Sequence, residues 1–94
     1  MPPVGFPWYE AGTYPAIRAV MSDGEDFPPT YGEWLSEAER EKRRLERRYG
    51  PVHCVFIEPE AFAAWCRVND LRADAAARMM FAEKAALRLY RKSA

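Results

Sequence analysis

One segment of this 94-residue chain reads as a β-strand, and a lone strand is hard for a small domain to accommodate. Residues 52–57 (Val-His-Cys-Val-Phe-Ile) are rich in β-branched and aromatic side chains and are bounded by Gly50-Pro51 and Glu58-Pro59. The two alternating sets are Val52, Cys54, Phe56 and His53, Val55, Ile57. Both are apolar apart from His53, so both faces call for cover. A strand also needs a neighbour, because buried N–H and C=O groups left unpaired cost about 1–3 kcal/mol each. Within the chain the other extended candidate is residues 4–9, where Gly5 and Pro7 make a weak ladder. A second copy of residues 52–57 across a two-fold axis meets the need with identical sequences, so the expectation is a homodimer built on this strand; the alternative is a monomer in which the arm supplies the partner strand.

The rest of the periodicity is helical. Thr13 precedes a helix over 14–22, with Pro15 in the first turn and Ile17, Val20 and Met21 as its buried stripe. Thr30-Tyr31-Gly32-Glu33 is a capping box: the Thr30 hydroxyl accepts from the Glu33 amide, and the Glu33 carboxylate returns to the Thr30 amide. It opens a helix over 31–49, stopped by Gly50 and Pro51. That helix is apolar early (Tyr31, Trp34, Leu35, Ala38) and charged late. Its second half should stand in water, laced by Glu37–Arg40, Glu39–Arg43 and Glu41–Arg44. Pro59 begins a third helix over 59–69, with Ala61, Phe62, Trp65 and Val68 along one side. A fourth runs over 73–91, where Ala75, Met79, Ala82, Ala86 and Leu89 step by four and three, the spacing of a packing seam. Ala76, Met80, Leu87 and Tyr90 widen the seam, and Arg78 falls on the opposite, charged arc. Residues 1–12, broken by Pro2, Pro3, Gly5, Pro7 and Gly12, read as an irregular arm whose Phe6, Trp8 and Tyr9 dock on the core. The sum is a single α+β domain, mostly α, spanning 1–94, with Trp34 and Trp65 as core anchors.

An apolar share of 49% is enough for a real core. Fourteen bases and fourteen acids cancel, which removes the simplest argument for nucleic acid or acidic membranes. The charges are unevenly placed, however: residues 1–33 hold one base and five acids, and residues 40–48 hold six bases and two acids. Trp8 and Tyr9, with Arg40, Arg43, Arg44, Arg47 and Arg48, are therefore the candidate partner surface. His53, Val55, Ile57, Met79, Ala82 and Ala86 are the candidate dimer interface. Two cysteines are no disulfide scaffold, and no apolar run approaches the ~20 residues of a membrane span. The opening Met1-Pro2-Pro3-Val4-Gly5-Phe6-Pro7 has neither a charged leader nor an apolar stretch, so a cytoplasmic protein is expected.

Residues that carry chemistry are sparse. His53 and Cys54 are neighbours on a strand and point to opposite faces, which separates a potential nucleophile from its base. His53, Cys54 and Cys66 lack the paired spacing that structural zinc requires. Glu83, between Leu87 and Tyr90 on the fourth helix, is the one carboxylate in an apolar setting, while Phe81 falls among charges. There is no glycine-rich phosphate loop, no Gly-x-Ser-x-Gly and no His-Glu-x-x-His. The expectation is a non-enzymatic protein-interaction module without catalytic, metal or cofactor site.

The strand-helix-helix order of residues 52–91 resembles that of ribbon-helix-helix repressors, which implies a nucleic-acid-binding accessory role as the alternative. The ribbon departs from that pattern, since neither of its faces carries the Arg, Lys, Gln, Asn or Thr that reads base edges. Across most of its length the chain also resembles a group of small uncharacterised bacterial proteins. The resemblance rests on Phe6-Pro7-Trp8-Tyr9, Tyr14-Pro15-x-Ile17, Pro29-Thr30-Tyr31-x-x-Trp34, Ile57-x-Pro59-x-x-Phe62-x-x-Trp65-Cys66 and Ala77-Arg78-x-x-Phe81-Ala82. It implies a bacterial, cytoplasmic setting and no reaction.

Overall fold

A computed structural model describes residues 3–93; Met1 and Pro2 of the expected arm lie outside them. Two strands, β1 (Val4–Trp8) and β2 (Val52–Phe56), form a parallel pair, and four helices surround it: α1 (Tyr14–Val20), α2 (Tyr31–Tyr49), α3 (Pro59–Val68) and α4 (Ala75–Ser93). The α+β, mostly α architecture is as the sequence indicates.

The neighbour of β2 comes from its own chain. This corrects both the irregular arm and the argument that the strand must seek a second copy. Val4 pairs with Val52 and Trp8 with Phe56. The Val4 amide donates to the Pro51 carbonyl, and the Ile57 amide donates to the Trp8 carbonyl. The alternation of a parallel ladder then turns the backbone groups of Val4, Phe6 and Trp8 toward β2 and those of Gly5 and Pro7 away. Pro7 therefore forfeits no ladder bond, because its missing N–H falls on the outer edge. Gly5 is needed for close approach: a Cβ there would sit 2.2 Å from the Ala82 carbonyl oxygen of α4.

Helices cover both faces, as a parallel pair requires. Gly5, Pro7, Val55 and Ile57 are buried on the α4 side. On the other side α2 lies across Trp8, whose ring meets that of Trp34 at 5.2 Å, edge to face. The core continues into two aromatic clusters. Tyr9, Tyr14, Phe27, Tyr31 and Trp34 form the first, tied by the Tyr31 hydroxyl donating to the Tyr9 carbonyl and the Tyr14 hydroxyl to that of Pro28. Phe62, Trp65 and Phe81 form the second. Trp34 and Trp65 are half-buried and packed against the buried core.

The helix ends have local causes. Thr30 accepts from the Glu33 amide at 3.2 Å, whereas the return bond from the Glu33 carboxylate is not made. Of the three ion pairs expected on α2, Glu41–Arg44 forms, and Lys42–Glu46 forms beside it. The first helix stops at Val20 rather than 22, since Ser22 is drawn off to the Ala73 carbonyl by both its amide and its hydroxyl. The fourth begins at Ala75 rather than 73, because the Asp74 carboxylate accepts from the Ala77 amide as a cap. Glu58 caps α3 in the same way, through the Ala61 amide.

Candidate functional site

The side chains singled out for chemistry do not converge. His53 and Cys54 occupy opposite faces of β2, and Cys66 lies on α3. Among the described residues no three His, Cys, Asp or Glu side chains come close enough to hold a metal ion. Both cysteines are free thiols, and burial pushes each pKa up, away from the thiolate that attacks or ligates. Glu83 is exposed on α4.

The polar centre that the fold does build links Arg78 of α4 to Asp23, 55 residues earlier. Two guanidinium nitrogens donate to the two carboxylate oxygens at 2.7 and 2.9 Å, and the guanidinium lies 4.9 Å from the Phe27 ring centre. Arg78 thus leaves the charged arc assigned to it and clamps the loop before α2 onto α4. Its hydrogen bonds hold the Asp23 carboxyl below its usual value, against burial. Nearby, burial pushes the Tyr9 phenol up to about 12, with Arg78 opposing. The cleft over this pair, between Phe27, Trp34 and Arg78, encloses about 240 Å³, under the ~300 Å³ at which ligand sites usually begin. With the guanidinium bidentate to Asp23, the pair reads as a structural clamp.

A carboxylate whose folded pKa is depressed adds stability above its unfolded value and loses it as pH falls through the folded one. Asp23→Asn is therefore expected to cost about 1–2 kcal/mol at pH 7, and the gap to the parent should narrow below about pH 4. Urea denaturation of both proteins at pH 7 and pH 3 measures it; an undiminished gap would exclude an ionic clamp.

The remaining candidates are surfaces. Tyr9 is buried among aromatics and Trp8 is half-buried against Trp34, so neither heads an accessible arm. Arg40, Arg43, Arg44, Arg47 and Arg48 are exposed along α2; Arg44 is paired with Glu41, and Arg48 donates to the Tyr49 hydroxyl. In the expected dimer interface the side chains of Val55, Ile57, Ala82 and Ala86 are buried within their own chain; His53 is half-buried and Met79 is exposed.

The seam on α4 is rotated from the expected one. Ala77, Ala82 and Ala86 are buried, with Phe81 and Ala85 half-buried beside them, so the alanines let α4 press onto β1. Met80, Leu87 and Tyr90, expected to widen the seam, face out, and so does Met79 of the seam itself; the four are 37–43% exposed. Met80, Leu87 and Tyr90 step with Ala76 and Glu83 by four and three along one line, giving α4 a second apolar face. Lys84, Arg88, Arg91 and Lys92 border it. Compared with known protein families, curated proteins and solved structures, the chain matches none. No helix among the described residues is long and apolar enough to cross a membrane.

Proposed function

We propose that this chain is a small cytoplasmic, non-enzymatic protein-interaction module that acts as a homodimer and docks a protein partner on the outer face of α4. One observation carries the reading: α4 is apolar on two sides, and folding uses one. Exposed Met80, Leu87 and Tyr90 lie on a single face, and contiguous apolar surface of that kind marks binding sites. Methionines suit such a face because their flexible, polarisable side chains adapt to a partner. A photo-reactive benzophenone side chain placed at Leu87 and activated in cells should trap a discrete protein adduct. The same group at exposed Ala16 on α1 serves as control. No adduct from 87, or equal labelling from 16, would overturn the reading.

Nucleic acid is the weaker reading. β2 packs against both α2 and α4, and its side chains include none of the Arg, Lys, Gln, Asn or Thr that reads base edges. Duplex DNA at ~0.15 M salt is expected to bind no more tightly than the ~10⁻⁴–10⁻⁶ M of non-specific contacts. Fluorescence anisotropy checks this, and submicromolar sequence-selective binding would contradict it.

A further inference from the structure

The geometry points to the outer edge of β2 as the surface on which two copies of this chain pair, antiparallel, across a two-fold axis at Cys54. The assignment rests on the homodimer reading above and names its interface. The ladder register turns the N–H and C=O groups of His53 and Val55 toward β1, so those of Val52, Cys54 and Phe56 point away from it. Among the described residues none of these outward groups has a partner. An edge of this kind is a template for another strand, and natural edges are usually blunted by proline, charge or a covering element. β1 has that protection: Pro7 lacks a donor on its outer edge, and Ala38 of α2 and Met79 of α4 flank it. β2 has none, since its five residues include neither proline nor Lys, Arg, Asp or Glu. Phe56, on this edge, is 58% exposed.

Charge selects a second copy and its direction. Exposed Arg47 and Arg48 precede the strand, and exposed Glu58 and Glu60 follow it. Glu10 lies beside Phe56 at that same acidic end. Antiparallel pairing centred on Cys54 sets the acidic end of each strand against the basic end of the other; parallel pairing would set like against like. Cys54 then faces its counterpart, and each Phe56 faces a partner Val52 on the same side of a four-stranded sheet. Facing residues of this class exchange both N–H···O bonds, so every outward group of Val52, Cys54 and Phe56 is satisfied. The two Phe56 rings also leave water.

Light scattering coupled to gel filtration, from low to high micromolar, tests the edge. The parent should run at twice its 10.8 kDa chain mass. Cys54→Pro removes one outward donor without touching the β1–β2 ladder, and Phe56→Lys places a charge on the edge at an exposed position. Each should weaken dimerisation roughly 100-fold while keeping the parent's far-ultraviolet circular dichroism. Should Cys54→Pro fail to fold, Phe56→Lys alone decides. A parent of monomer mass throughout overturns both the edge and the homodimer reading. A dimeric parent whose folded Phe56→Lys variant is equally dimeric overturns the edge alone.

Discussion

Replacing Phe62 with alanine is expected to cost about 3–5 kcal/mol, comparable to the whole stability of a domain this size. Phe62 is 0% exposed and sits where α3 meets α4. Its ring meets Phe81 edge to face at 5.5 Å and stacks on Trp65 at 6.0 Å. Truncation removes a large apolar surface and both ring contacts together, in a region whose flanking elements are held by their own caps and cannot easily collapse inward. Guanidinium denaturation should show the midpoint falling sharply. Should the alanine variant not fold, Phe62→Leu keeps much of the volume and should cost a smaller, measurable part. A parent-like midpoint for Phe62→Ala would remove this cluster from the core.

Gly5→Ala is the second large effect, with an expected cost of about 3 kcal/mol, the upper end for overpacking. The new Cβ would stand 2.2 Å from the Ala82 carbonyl oxygen, 2.6 Å from its carbon and 3.1 Å from the Ala86 Cβ. The first two contacts are backbone, so relief requires β1 to move off α4. The smaller entropy of an alanine in the unfolded chain returns only about 0.4–1 kcal/mol. Gly12 gives the control, because a Cβ there meets nothing within 4 Å. Gly12→Ala should be neutral or slightly stabilising, and equal midpoints for the two variants would refute close approach of α4 to β1.

The helices were legible because their signals are local. Thr30, Pro59 and Gly50-Pro51 act within a turn or two, and α2 has the bounds its caps imply. Where local signals competed with distant partners, the reading slipped by one or two residues, as at Ser22, which bonds to Ala73 far along the chain. The larger miss was β1. Gly5 and Pro7 argue against a strand when taken alone, yet each fits a parallel edge strand pressed against a helix. Composition records the residue but not which edge its amide faces. On α4, apolar residues nearly encircle the helix, so periodicity could not say which arc packs. The clue lay in size: the small residues Ala77, Ala82, Ala85 and Ala86 turn toward the sheet, and the larger Met80, Leu87 and Tyr90 turn away. Phe81 is the exception, packing with Phe62 and Trp65 rather than among charges. Val68, assigned to the packed side of α3, is 85% exposed beyond that cluster. The Asp23–Arg78 clamp had no local signature, since it joins a loop to a helix across most of the chain.

α4 carries one apolar face more than the fold uses, and the stability of the Met80→Glu/Leu87→Glu double variant, measured by urea denaturation at low micromolar protein, tests this. Surface substitutions away from packed features change stability by about 0.5 kcal/mol or less each, so the variant should stay within ~1 kcal/mol of the parent. A loss of several kcal/mol, the mark of charge forced into a packed core, would contradict it.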